Sequence, residues 1–429
     1  MDQQDMAAAA AHGIVPIVLQ QHCEDAAILH GTRTALTVAP HVRLKHLRRF
    51  DDRLGSHLDG LLISGDFAWA ACAPELENPR PGSVFTLTAL ALESGNVQQL
   101  ARACALAEAV PPSRPGLFGA FGWTERARLR GIVTRLLSSA IPFHRLLGVA
   151  ASAMHRVDPG IVAARRLEDP DPSVRARALR TAGELGLRAL VSTVASSIED
   201  DDPYCRFWAA RSAVLLGDRG RALQCLTEIA ANPGDLEPQL QARALQLSLQ
   251  ALNVPAGTAL LRQLAKAAPQ SVLRGSGLVG DPGFVPWLIG QMAAERTARA
   301  AGEAFSLITG ADLAWLDLER KPPQVTTAGP NDDPDDPNVD MDADEGLPWP
   351  DPALIETWWA SHRGSFTAAG RYFMGEPVSR AKCIEVLRNG FQRQRIAAAL
   401  HLCLIEPGSV LFEWRAPAAR QARELAALA

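Results

Sequence analysis

Eight acidic side chains and no base fall between residues 331 and 345: Asp332, Asp333, Asp335, Asp336, Asp340, Asp342, Asp344 and Glu345. Two chemistries could use such a run. Alternating oxygen ligands bind a hard cation, and Asp340, Asp342, Asp344 and Asp351 fall at positions one, three, five and twelve of a calcium-loop pattern. The glycine, however, is Gly346, one place late, and Glu345 stands where the sharp turn is needed. Pro348 and Pro350 are also expected to prevent an exit helix, so no metal is assigned. The second use is electrostatic, because a concentrated negative segment can occupy a surface built to receive phosphate, such as a nuclease site. A solvated spacer is the alternative for such a run. Trp349 follows at once, then Trp358, Trp359, Phe366, Tyr372 and Phe373, which make either a small packed element or an exposed anchor patch. The eight acids and Trp349 are the candidate partner-contact residues.

Other reactive side chains show no catalytic spacing. Six of the ten histidines precede residue 58 (His12, His22, His30, His41, His46, His57), without H-x-x-x-H or H-E-x-x-H, and are expected at the surface or at helix caps. The seven cysteines (Cys23, Cys72, Cys104, Cys205, Cys225, Cys383, Cys403) are scattered singly, which fits small buried residues rather than a zinc site or a disulfide framework. There is no G-x-S-x-G elbow, P-loop or dinucleotide fingerprint after a strand, and GLFGAFG (116–122) reads as a turn introducing a helix. No catalytic residue, cofactor or metal is assigned, and the expectation is a protein that is not an enzyme.

The elements that must carry these residues are helices. In 429 residues there are 72 alanines but only 2 tyrosines, and 6% of the chain is aromatic. Of 43 basic residues only Lys45, Lys266, Lys321 and Lys382 are lysine; with a net charge of −4 this arginine skew gives no global attraction to nucleic acid. Without residues 331–345 the charge becomes −4 − (−8) = +4, so one acidic segment is set into a slightly basic remainder. No apolar run reaches the roughly 18 residues of a membrane span, and no secretory signal pattern opens the chain, so a cytoplasmic protein is expected.

Residues 167–186, LEDPDPSVRARALRTAGELG, align without a gap on 198–217, IEDDDPYCRFWAARSAVLLG, with ten identities in twenty. A period near 31 means stacked helical hairpins. Asp171 and Asp202 are expected to cap a first helix, with Pro172 and Pro203 at its first position and Gly186 and Gly217 as left-handed stops. Arg175 and Arg206 are expected to reach the aspartates of neighbouring turns as a structural ladder. Leu187, Leu190, Val191, Val194 and Ile198 give the second helix one apolar face. Weaker copies lie at 141–153, 237–252 and 391–408, and RAAGE (299–303) repeats RTAGE (180–184). Residues 42–63 form an amphipathic helix, with Leu44, Leu47, Phe50, Leu54, Leu58, Leu61 and Leu62 on its stripe and Asp51 among the polar remainder.

The predicted fold is therefore all-α: a helical N-terminal cap over 1–115, a solenoid of stacked hairpins over 116–320, a proline-rich acidic linker over 321–352, and a C-terminal helical region over 353–429 with a further repeat. Residues 169–186 and 200–217 resemble HEAT-like repeats, particularly the short kind of the phycobilisome lyases. HLDGLLISG (57–65), AGEAFSLITG (301–310) and NGFQRQRIAAAL (389–400) resemble the landmark segments of a bacterial HEAT-like family encoded among type VI secretion genes. That resemblance implies a cytoplasmic protein partner, a type VI effector or toxin, with no direct contact to nucleic acid or membrane. It implies an immunity protein that neutralises a co-encoded effector, for instance a nuclease, or alternatively an adaptor that loads an effector onto the spike. A lyase-like protein acting on a cofactor is the third alternative.

Overall fold

The computed structural model describes residues 14–323, 342–367 and 370–428. The chain is all-α; among the described residues the sole sheet is the two-residue antiparallel ladder of Tyr372–Phe373 with Glu376–Pro377. Packing divides it into two compact units. The first comprises residues up to Val38, Leu44–Leu185 and Glu413–Ala427; the second comprises Ala39–Arg43 with Gly186–Phe412. A proline or glycine break in sequence does not tell which side a helix packs on.

The first unit is organised around the helix Pro81–Ser94, which is buried continuously from Ser83 to Leu92. It packs against Pro16–Leu36 and Arg114–Trp123, with Phe85, Leu117, Phe121 and Leu147 fully enclosed. GLFGAFG is not a turn here but lies inside the helix Arg114–Trp123. Its glycines recur every third residue and form the face on which neighbours approach: a β-carbon at Gly116 would collide with the Pro81 carbonyl, and one at Gly122 would press on the Met154 sulfur. On the helix Leu44–Ile63, Asp51 proves to be buried within the leucine stripe rather than opposite it. It pairs with Arg33 and accepts the Ala418 N–H, while Arg33 also donates to the carbonyls of Arg415 (3.0 Å) and Ala416 (2.8 Å). This pair clamps the returning 413–418 segment onto its own unit. His30 departs from the expected surface state, being buried and stacked on Phe85 at 3.9 Å, and burial lowers its pKa to about 4. Six of the seven cysteines are buried.

Repeat geometry follows the predicted register. The Asp171 carboxylate accepts the N–H groups of Ser173 and Val174, and Asp202 accepts that of Cys205; each is followed by proline at the first helical position. Three arginines three residues after such a proline do the same work. Arg145 donates to the carbonyls of Ser139 and Ala140, Arg175 to those of Asp169 and Pro170, and Arg206 to those of Asp200 and Asp201. Arg175 and Arg206 thus reach main-chain carbonyls of the preceding turn, among them those of Asp169, Asp200 and Asp201. The buried Asp169 carboxylate binds Arg145 (2.7 Å) and Arg166 (2.8 Å). Burial pushes its pKa up, but these guanidiniums and the Asp171 amide outweigh burial and hold it below the ordinary value.

In the second unit the first helices Pro203–Leu216, Pro238–Ala251, Pro269–Val279 and Glu295–Thr309 pack side by side. Arg221–Ala231, Val254–Leu264 and Val285–Gln291 return between them, as α-solenoid hairpins do. The second helix predicted after Gly186 is short, Val191–Ser196 between 3-10 turns; Val194 and Ile198 are buried, while Leu187, Leu190 and Val191 are only partly so.

A strap formed by residues 371–408 closes the C-terminal ends of all four first helices. Gly408 N–H bonds the Leu215 carbonyl, Arg371 bonds those of Leu249, Gln250 and Leu252, Tyr372 N–H bonds that of Gly280, and Met374 N–H bonds that of Leu307. Helix ends otherwise leave such carbonyls without partners. Gly280 and Gly310 adopt φ of +73° and +75°, and a β-carbon at either would strike the strap backbone at Tyr372 or Met374.

Candidate functional site

Three arginines from three elements of the second unit converge on the end of the acidic segment. Arg274 comes from Pro269–Val279, Arg299 from Glu295–Thr309, and Arg393 from Gln392–Ile405. Asp344 accepts Arg274 at 2.7 Å and Arg393 at 3.3 Å, while Asp342 accepts Arg299 at 2.7 Å. Arg299 also donates to the Asp344 carbonyl (3.0 Å), and Arg393 to that of Ala343. The Asp344 N–H closes a turn on Asp342 Oδ1 at 3.0 Å. Burial raises the Asp342 pKa, but this amide and Arg299 outweigh it and hold the carboxyl below the usual aspartate value.

Glu303 lies one helical turn after Arg299 and pairs with Arg393 at 2.8 Å. Its pKa is nonetheless raised, because burial together with the nearby Asp344 outweighs Arg393 and Arg274. Trp349 is 9% exposed, and Arg299 lies over its ring at 4.8 Å. The Trp349 carbonyl accepts Arg320 N–H at 2.7 Å, and Asp351 N–H bonds the Leu318 carbonyl at 2.9 Å. Residues 318–320 and 349–351 thus lie together as a fixed base. Beside it opens a cavity of about 920 Å³, in which Arg43 pairs with Asp312 and Lys382 with Glu385; Lys382 also pairs with Glu376.

Of the residues expected to face a partner, Asp342, Asp344 and Trp349 are held within the chain by these arginines. Glu345 is exposed, and its carbonyl meets His41 Nδ1 at 3.1 Å. Asp332, Asp333, Asp335, Asp336 and Asp340 lie outside the described residues, as does His12. The calcium pattern is replaced by guanidiniums at Asp342 and Asp344. Asp351 instead caps the helix Pro352–His362, so an exit helix does form in spite of Pro348 and Pro350, starting two residues beyond the second proline. Among the described residues no group of three or more histidine, cysteine or acidic side chains is placed to hold a metal. The aromatic run is core: Trp358 packs on Phe305, Trp359 on Phe366, and Phe366 on Tyr372. Sequence reasoning missed Arg274, Arg299, Glu303 and Arg393; the RAAGE repeat and the QRQR run at 392–395 were the available signals.

These repeats have a recognisable kin. Residues 162–247 match HEAT repeats. The matched stretch supplies helices to both units, and it identifies the chain as carrying HEAT-like repeats, a fold that typically serves as a non-enzymatic protein-interaction scaffold. No curated protein and no solved structure matches the chain. Among the described residues no helix is long and apolar enough to cross a membrane.

Proposed function

We propose that this protein is a scaffold that binds and neutralises a co-encoded type VI effector as an immunity protein, with a nuclease as the effector class. The observation that carries the reading is the anchored base of the acidic segment. Arg320 and Trp349 are bonded to each other, so the sequence between them leaves and returns at one place, and it contains five further acids, Asp332, Asp333, Asp335, Asp336 and Asp340. Asp342 and Asp344 serve as its root. A negative segment on a rigid base suits a basic, phosphate-receiving surface on a partner. Trp315, 84% exposed in the turn leading to this base, supplies the kind of aromatic side chain that dominates interface energies.

Co-expression of this protein with the effector encoded beside it is expected to restore growth, and the two should co-purify. Replacing the five acids by asparagine is expected to weaken the complex at low salt and to flatten its salt dependence. Unchanged affinity and slope would return the segment to a spacer. Loss of effector delivery on deletion, without self-intoxication, would establish the adaptor role instead.

A further inference from the structure

In the first unit the helices Pro16–Leu36 and Leu44–Ile63 pack on each other and bring together two histidines that lie 35 residues apart in sequence. His22 and His57 meet through their Nδ1 atoms at 2.9 Å, with ring centres 5.1 Å apart and planes at 67°. Both rings are half-buried. His22 lies over Gly60, one turn after His57, where a β-carbon would come within 3.2 Å of the His22 Nε2. Glycine at that position leaves the ring its space. The Asp25 carboxylate, one turn after His22, stands 3.7 Å from His57 Nδ1.

Two facing Nδ1 atoms can share a proton or a metal ion. As a hydrogen bond, the contact makes one ring the Nδ1 donor and the other the acceptor. As a metal site it uses both Nδ1 lone pairs; the donor ring then carries its proton on Nε2, and no proton is lost. The distances decide how far the chain would have to move. With Zn–N bonds of about 2.0–2.1 Å and tetrahedral angles, two imidazole nitrogens stand about 3.3 Å apart and their ring centres about 5.2 Å apart. The centres here already have that separation, so the rings need only turn in place, without parting the helices. Imidazole nitrogen suits zinc, copper and nickel, whereas magnesium prefers oxygen. Two side chains, not three, are placed as ligands, because Asp25 stands back from His57; it supplies a negative charge that can orient water on the ion.

We propose that His22 and His57 form a two-imidazole site for a divalent transition-metal ion of the zinc class, with Asp25 as its outer counter-charge and water completing the shell. The ion ties the two helices together, and because the site exists only in the folded chain, binding raises stability. The test is calorimetric titration of the full chain, first stripped with a chelator, using zinc chloride, with magnesium chloride as the control. One zinc ion per chain is expected, and no magnesium. H22Q and H57Q are each expected to weaken this binding by about tenfold or more, and D25N by less. H362Q, at an exposed histidine of the second unit, should leave it unchanged. Zinc should raise the melting temperature of the parent and of H362Q but not that of H57Q. Cobalt(II) added to the parent needs no variant: it should show the visible absorption of a nitrogen-ligated ion, lost when zinc is added. The proposal is overturned if zinc does not bind, if magnesium binds as well as zinc, or if cobalt keeps its aqueous spectrum. It is equally overturned if either H22Q or H57Q, shown by circular dichroism to be folded, binds zinc like the parent, for the contact is then a hydrogen bond between the rings and nothing more. None of these outcomes depends on an effector being the partner of the acidic segment.

Discussion

The pentapeptides RTAGE and RAAGE put a buried glutamate one turn after an arginine in each unit, yet the two carboxyls are held in opposite directions. Burial raises both. At Glu184 the guanidiniums of Arg177, Arg180 and Arg156 outweigh it and drive the pKa well below the glutamate range. At Glu303 the nearby Asp344 adds to burial, Arg393 and Arg274 do not compensate, and the pKa stays raised. The same residues on the same kind of helix thus differ because one unit brings its own acidic segment beside the glutamate, whereas the other sets three arginines against it. Local sequence sets the pair; what fills the space beside it sets the charge.

That contrast is most directly broken by paired substitutions. E184Q is expected to cost about 3–5 kcal/mol at pH 7, since three guanidiniums lose their shared counter-charge, whereas E303Q should cost less than about 1 kcal/mol. Urea unfolding of both variants decides it, and equal losses would erase the distinction. The pH dependence should also have opposite signs. Glu184, depressed when folded, stabilises above its unfolded value of 4.5, and this contribution is lost as pH falls through the lower folded value. Glu303, raised when folded, favours the fold below 4.5, and this contribution is lost as pH rises through its folded value. The deficit of E184Q should therefore shrink in acid, and E303Q should flatten the decline of the parent above pH 4.5.

A smaller effect sharpens the second unit's side of the comparison. W349A removes a buried ring and the platform under Arg299, at an expected cost of about 3 kcal/mol. A melting curve indistinguishable from the parent would mean that the acidic root is not anchored by this contact. The smallest change is expected from W315A, within about 0.5 kcal/mol of the parent in stability because the ring is exposed. If Trp315 contacts the partner proposed above, its effect should appear in affinity alone, measured by titration against the product of the adjacent effector gene.

The helical class was legible in the composition and the repeat register in the 31-residue period, while the Asp caps with their prolines and the glycine stops were legible because each depends on residues within one turn of one another. Asp51 was misplaced since its partners, Arg33 and the Ala418 amide, are distant in sequence, and a charged residue on a leucine stripe reads as solvent-facing until they are known. GLFGAFG was misread for a similar reason: glycine serves both turns and close helix contacts, and only the neighbouring helices distinguish them. In the acidic segment composition was visible, but the arginines that hold Asp342 and Asp344 come from three separate helices. No spacing rule joins those.

An array of helical repeats ordinarily folds by nearest-neighbour steps, so that each hairpin can form or fray with regard only to the next. The strap of residues 371–408 removes that independence in the second unit, because it bonds in turn to the ends of helices that finish at Leu216, Ala251, Val279 and Thr309. The earliest of these ends waits for Gly408, almost two hundred residues later, before its carbonyl at Leu215 is matched. Closure of so long a loop slows folding but couples its two ends into one transition. The second unit should therefore unfold as a single cooperative body rather than repeat by repeat.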